Sequence, residues 1–133
     1  MAEQLASLRK NDTLTETVLW TNPNPDNPNG FNNATITLSQ DINNFSEIRF
    51  YYKGYYANLA EVYITVPVLL VKASVATTGR PLISLGARGE GASFARVVMY
   101  NSDTSIIFTN AAQLNLTNTQ NTYAIPTKIC GLK

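Results

Sequence analysis

Chemically reactive side chains are scarce in this chain of 133 residues. It contains no histidine, a single cysteine (Cys130) and nine aspartates and glutamates in total. The lack of histidine excludes a Ser-His-Asp triad and histidine metal ligands, and a single cysteine excludes a thiolate zinc site. A carboxylate pair would be the remaining hydrolytic arrangement, but several of the carboxylates fall in turns or on strand faces, where structural roles suffice. The sequence therefore predicts a protein that is not an enzyme and has no metal or other cofactor.

Two further segments could suggest chemistry. The glycine-rich stretch 86–91 resembles a phosphate-binding loop, but it lacks the Lys-Ser/Thr ending and precedes a strand pattern. No helix N-terminus would then face an anion, so we interpret the stretch as a flexible hairpin loop. Cys130 lies in the apolar run 123–130, which predicts a buried, unreactive thiol.

The polar residues of the chain are mostly uncharged, with fifteen Asn and fifteen Thr against ten Lys and Arg and nine Asp and Glu. The net charge is +1 and the basic residues are scattered, so the sequence predicts no nucleic-acid partner. The longest apolar stretch, 62–71, is interrupted by Thr65 and Pro67 and is too short to cross a bilayer. The N-terminus lacks the apolar core of a signal peptide. We therefore expect a soluble protein made in the cytoplasm, without membrane insertion.

The elements that must position any site are predicted from hydrophobic periodicity. From residue 13 onward, short β-branched or alternating segments are separated by turn-forming residues. The pattern predicts an all-β fold, an antiparallel β-sandwich or jelly roll of about seven to eight strands, without a helix beyond residue 12. The predicted strands span residues 13–20, 34–38, 45–52, 61–72, 92–100, 104–109 and 122–130.

Details of two predicted strands can also be inferred. In the strand 45–52, Ile48 and Phe50 lie on the mostly apolar side and are expected to face the core. In the strand 61–72, Pro67 cannot donate a hydrogen bond to a neighbouring strand, so this strand should lie at a sheet edge or be bulged there.

The first twelve residues differ in composition from the rest of the chain. They are rich in helix formers, with Leu5 and Leu8 on one side of a helical pattern, but the segment is too short to form a stable isolated helix. We therefore predict two parts, an N-terminal arm at 1–12 and a β-sandwich domain at 13–133. The arm is either a frayed terminus or a segment that orders against a partner, in attachment or oligomerisation.

Loops at one end of a sandwich are the expected contact surface, because the sheets hold them in place. The run 22–30, rich in Asn and Pro, is stiff and polar and must lie at the surface. Four tyrosines flank a turn signal at 53–54; one of the first two is expected to pack into the sheet and the last two to be exposed. Loops 53–58 and 86–91 then supply the candidate contact residues, which are Tyr55, Tyr56, Arg88 and Glu90. Stacking on a tyrosine, with the arginine as a hydrogen-bond donor, is the expected mechanism.

Several segments resemble a known family. The sequence TVLWTNPNP at 17–25, then ATITLS at 34–39 and an aromatic strand at 45–52, is similar to the layout of small β-sandwich domains in bacteriophage virion appendages. These include receptor-binding tips of tail fibres and head-fibre or decoration proteins. The ending YAIPTKICGLK at 123–133 resembles their closing strand, with Cys130 where an aromatic residue is usual. The resemblance covers 17–52 and 92–133; the remainder matches only as a pattern of strands.

The resemblance implies a homotrimer that is mounted through its N-terminal segment on other virion proteins, of the capsid or the tail. The protein would be assembled in the host bacterial cytoplasm and would present its loops to a host cell-surface glycan or protein. The chain lacks a long shaft, which favours a small head-fibre or decoration subunit, or a docked tail tip. Leu5 and Leu8 would then serve virion attachment, and the four loop residues receptor binding. The alternative is a free-standing carbohydrate-binding, lectin-like module, which needs no virion anchor.

Overall fold

The structure, a computed structural model, describes residues 15–75, 81–113 and 119–133. These ranges contain nine strands, one α-helix and one 3-10 turn. The elements in chain order are β1 (Glu16–Thr21), β2 (Ala34–Thr37), the 3-10 turn (Ile42–Asn44), β3 (Glu47–Tyr55), β4 (Val62–Pro67), α1 (Val68–Ala73), β5 (Ser84–Gly89), β6 (Ala92–Ser102), β7 (Ser105–Phe108), β8 (Ala112–Gln113) and β9 (Tyr123–Leu132). The arm at 1–12, with Leu5 and Leu8, lies outside the described residues.

Two antiparallel sheets pack against each other. The first has the strand order β1-β9-β3-β4, and the second has the order β2-β7-β6-β5, with β8 also paired to β6. Phe50 and Ile129 of the first sheet and Val98 and Phe108 of the second belong to one buried apolar cluster between them. The prediction of an all-β antiparallel sandwich is confirmed.

The long strands β3 and β9 form the centre of the first sheet. They pair from Glu47 opposite Leu132 to Tyr55 opposite Tyr123. On β3, Ile48 and Phe50 are buried at 0% and 1% exposure, as predicted. Successive side chains along a strand point to opposite faces. The side chains of Glu47, Arg49 and Tyr51 therefore lie on the outer face of this sheet.

The predicted strand 61–72 is wrong in its second half. β4 ends at Pro67, and α1 follows, with its Val68 amide donating to the Ser46 carbonyl at 3.1 Å. Val68 and Val71 are buried, and their spacing of three matches one face of a helix. The continuous apolar run is compatible with the two-residue period of a strand and with the 3.6-residue period of a helix. The predicted strand was therefore extended into residues that form the helix. β4 does lie at the edge of its sheet, as Pro67 indicated.

The stretch 86–91 forms a hairpin, but it is mostly strand rather than loop. β5 continues to Gly89, and only Glu90 and Gly91 form the turn. Their φ angles of 52° and 77° are both positive, as in the type I′ turns that match the twist of hairpin strands. The strand was missed because glycine and alanine replace the β-branched residues typical of strands.

Cys130 is buried, as predicted, but it does not join the apolar core. It pairs with Arg49 of β3, and residues directly opposite each other share a face of the sheet. On this outer face Glu16 accepts hydrogen bonds from Arg49 and from the Tyr51 hydroxyl, each at 2.5 Å. Burial raises the pKa of the Cys130 thiol.

The connections gather at two ends of the sandwich. Tyr55, where β3 ends, lies opposite Tyr123, where β9 begins. We call this the loop end; it comprises residues 22–33, 56–61, 90–91, 109–111 and 119–122. The 3-10 turn, α1 and residues 103–104 lie at the other end, where Ser46 contacts Val68 and Leu132 through backbone hydrogen bonds. We call this the helix end. The chain enters β1 there, since Glu16 pairs with Leu132.

Candidate functional site

Four aromatic rings form a row at the loop end. In order they are Tyr56, Tyr55, Tyr123 and Phe94, with centroid separations of 4.7 Å, 4.9 Å and 3.8 Å. Phe94 belongs to β6 of the second sheet and Tyr123 to β9 of the first, so the row joins the two sheets. Phe94 and Tyr123 are buried, whereas Tyr55 and Tyr56 are half-buried and not exposed as predicted, because they pack within this row. Tyr52, the tyrosine expected to pack into the sheet, is buried.

The position of Tyr55 within the row changes its expected role. It has an aromatic neighbour on each side, and Tyr56 is the outer ring. Burial, followed by the nearby phenols of Tyr56 and Tyr123, raises the pKa of Tyr55. Tyr56 is therefore the end of the row, with one aromatic neighbour in it, whereas Tyr55 has two.

Gly89 allows the second sheet to approach Tyr123 closely. A Cβ atom at this position would lie 2.6 Å from Cε1 of the Tyr123 ring, whereas one at Gly86 would meet no atom within 4 Å. A glycine is needed where another group approaches the backbone this closely. The glycines of 86–91, read from the sequence as a sign of flexibility, thus include one that serves packing.

A cavity of about 300 Å³ lies beside the aromatic row. Gln113 is placed on its wall by β8, whose pairing sets it opposite Phe94. Gln120 is held by its backbone amide, which donates a hydrogen bond to the Ala111 carbonyl at 2.7 Å. Within the described residues, the side-chain amides of Gln113 and Gln120 make no hydrogen bond. The residues that line the cavity are Tyr55, Glu90, Ala92, Phe94, Gln113, Gln120, Thr122 and Tyr123.

The structure brings together three of the four candidate contact residues. Tyr55 and Glu90 line the same cavity, and Tyr56 continues the aromatic row. Arg88 is exposed on β5 and lines a neighbouring groove of about 500 Å³. Phe94 contributes to both, so the groove and the cavity are adjacent.

Asparagine side chains fix the loops around this site. The side-chain oxygen of Asn110 accepts from the Asn33 backbone amide and from the Asn121 side chain, both at 2.8 Å. Asn121 in turn accepts from the Ala111 amide at 2.8 Å and donates to Asn32 at 3.2 Å. The residues before β2, after β7 and before β9 are thereby linked to one another. The high Asn content was evident from the sequence, but this network was not.

The Asn and Pro run 22–30 is anchored by two buried side chains. Asn22 donates to the Pro126 carbonyl at 2.8 Å. Lys53, only 6% exposed, donates to the Asp26 carboxylate at 2.5 Å and to the Tyr56 carbonyl at 2.8 Å. Lys53 therefore links this segment to the backbone of Tyr56.

Arg96 is completely buried and holds the start of β9. Its guanidinium donates to backbone carbonyls of Ala124 at 2.8 Å, Thr109 at 2.7 Å, Tyr123 at 3.2 Å and Asn121 at 3.4 Å. No carboxylate in the described part of the chain pairs with it, and burial lowers the pKa of Arg96 to about 10. Ala124 has a φ of 51°, a strained value for alanine, and Arg96 stabilises that conformation through the carbonyl.

No cluster of three or more Cys, Asp or Glu residues suited to a metal ion occurs in the described ranges. Likewise, no helix in those ranges is long and apolar enough to span a membrane. Comparisons with protein-family models, with curated proteins and with solved structures give no match for this chain. The function is therefore inferred from the geometry of the loop end and from the sequence resemblance.

Proposed function

We propose that this protein is a non-enzymatic bacteriophage virion structural protein. It would be a small head-fibre, decoration or tail-tip subunit that attaches to the particle through its N-terminus and presents its β-sandwich for host-surface binding. The observation that carries this proposal is that the candidate contact residues and the start of β1 lie at opposite ends of the domain. Contact groups occupy the loop end, whereas the chain enters β1 at Glu16 on the helix end.

The chemistry of the two ends supports this assignment. The loop end has phenols, amides and hydroxyls on a scaffold fixed by hydrogen bonds, and such groups make contacts without catalysis. At the helix end, Leu69 of α1 is 83% exposed and the nearby Val75 is 67% exposed. These apolar side chains are available for contact with another protein. One end is thus suited to a host surface and the other to the particle.

A homotrimer is the expected assembly state. Both edge strands of the first sheet carry exposed apolar side chains, with Val18 of β1 at 52%, and Val62 and Tyr63 of β4 at 48% and 53%. A closed oligomer covers such edges. Light scattering should give three times the 14.6 kDa mass of the chain. A monomer mass at micromolar concentration would contradict this prediction.

Deletion of residues 1–12 should leave the β-domain folded and abolish particle attachment. The composition of the arm separates it from the β-sandwich, and the described core is built from Leu19 and residues that follow it. The measurements are the far-UV circular dichroism spectrum and the copy number on purified virions, with the Leu5→Ser, Leu8→Ser double variant as a milder test. A truncated protein that still decorates particles at full copy number would place the anchor elsewhere.

The alternative function is a free-standing carbohydrate-binding module. The uncharged amides around the cavity beside Tyr55 favour it, because they suit a hydroxyl-rich ligand. Such a module would bind sugar but would not copurify with virions. A particle-bound subunit should copurify in fixed, symmetric copy number, so analysis of purified virions distinguishes the two.

The two candidate tyrosines should respond differently to replacement. Because Tyr56 is the outer ring, Tyr56→Ala should weaken binding to host cells about tenfold, or about 1.4 kcal/mol, with little change in melting temperature. Tyr55→Ala removes the middle ring and should also lower the free energy of unfolding by about 2 kcal/mol. Adsorption assays and thermal unfolding measure these effects. Unchanged adsorption by both variants would indicate a purely structural role.

A further inference from the structure

The cavity beside the aromatic row has a lining that is polar but nearly uncharged. Gln113, Gln120 and Thr122 supply both donors and acceptors, and Glu90 is the single charged group among the described residues around it. Tyr55 and Tyr123 also line the cavity and add apolar surface. Amides and hydroxyls arranged beside aromatic rings match a ligand that has hydroxyl groups around an apolar ring face.

The dimensions and charge of the cavity limit the ligand class. Its volume of about 300 Å³ is at the lower end of small-molecule sites, which suits one ring rather than an extended chain. No lysine or arginine is among its described lining residues, so an anion would lack a counter-charge. A quaternary ammonium needs ring faces turned toward a shared space, but here Tyr123 stacks on Phe94 at 3.8 Å and 8°.

We infer that this cavity binds one neutral sugar ring, as a terminal unit of a glycan, with Gln113, Gln120 and Thr122 as its hydrogen-bonding groups. The inference rests on the proposed function and deepens it by naming the ligand class. The side-chain amides of the two glutamines can each donate to and accept from sugar hydroxyls, and both residues line the cavity. Tyr55 provides the apolar rim.

The test is a nuclear magnetic resonance titration of the full chain with glucose, galactose and N-acetylglucosamine. At least one of them should shift the backbone amide signals of Gln113, Gln120 and Thr122, with a Kd of roughly 1 to 10 mM, as expected for a single sugar ring. Tetramethylammonium and sulfate serve as charged comparison probes. Saturable shifts of these signals by either charged probe would overturn the inference. The absence of shifts with all three sugars would overturn it as well.

Variants separate the cavity from the rest of the loop end. The Gln113→Ala, Gln120→Ala double variant should weaken sugar binding at least about tenfold, whereas Gln40→Ala, on an exposed glutamine at the helix end, should not change it. If the double variant fails to fold, the single variants Gln113→Ala and Gln120→Ala provide a second test, and each should weaken sugar binding at least about threefold. Unchanged Kd values in both single variants would overturn the inference.

The outcomes for this inference and for the proposed function are distinguishable. A protein that copurifies with virions but binds no sugar overturns the inference alone. A protein that binds sugar through Gln113 and Gln120 but is absent from virions supports the inference and contradicts the virion role.

Discussion

Replacing Arg96 by methionine should lower the free energy of unfolding by about 3 kcal/mol or more. The methionine fills much of the same space but donates no hydrogen bond. Four backbone carbonyls, those of Thr109, Asn121, Tyr123 and Ala124, would each lose a charged donor. A buried acceptor without a partner costs more than a typical hydrogen bond contributes. The start of β9, and with it the ring of Tyr123, would lose its support.

The matched control is Arg88→Met. Arg88 is exposed on the neighbouring strand β5, and exposed substitutions usually change stability by less than about 0.5 kcal/mol. Chemical denaturation of both variants measures the difference. Arg96→Lys retains the charge but has fewer hydrogen-bond donors, so its free energy of unfolding should lie between those of the two methionine variants. Equal stability of the two methionine variants would show that the buried guanidinium contributes nothing net to folding.

Replacing Gly30 by alanine should destabilise the protein by about 3 kcal/mol and displace the loop end. Gly30 has a φ of +80°, and a Cβ atom there would lie 1.9 Å from the carbonyl oxygen of Asn121. This neighbour is backbone, so no side-chain rotation relieves the overlap. The hydrogen bond from the Phe31 amide to the same carbonyl, at 2.9 Å, would break as the segments separate.

Gly86→Ala is the control for this variant, because an added Cβ at Gly86 meets no atom within 4 Å. It should be neutral to within about 0.5 kcal/mol. Thermal unfolding measures the stability of both variants, and the side-chain signals of Tyr123 report on the aromatic row. Equal melting temperatures of Gly30→Ala and Gly86→Ala would contradict the close approach of Gly30 to the Asn121 carbonyl.

Local sequence patterns were sufficient to predict the strands in which apolar and polar residues alternate. Ile48 and Phe50 were placed in the core because the alternation of β3 is clear. The helix α1 was missed because the apolar run around Val68 and Val71 is compatible with both periods. The burial of Arg96 could not be read from its type, since arginine is usually exposed, and its partners are backbone carbonyls that leave no trace in the sequence.

The candidate site was predicted in part. Tyr55 and Glu90 were named from local turn signals, and they line one cavity. The turn predicted at 53–54 was wrong, because β3 continues to Tyr55 and the turn lies at 56–57. Tyr123 was missed as a neighbour of Tyr55 because the pairing of β3 with β9 joins distant parts of the chain. Gln113 was missed because β8 has two residues, too few to show a period. Only the sheet topology brings these side chains together.

The bonds that fix the loop end have a consequence for the conditions in which the protein can work. Many of them join amides to carbonyls, as in the network around Asn110 and Asn121, and amides do not titrate. Mobile ions screen exposed charges within about 8 Å at physiological ionic strength, but they have little effect on bonds between neutral groups. Salt should therefore weaken the ion pair of Lys53 with the exposed Asp26, whereas the asparagine network should keep its shape in dilute freshwater and in concentrated brine alike.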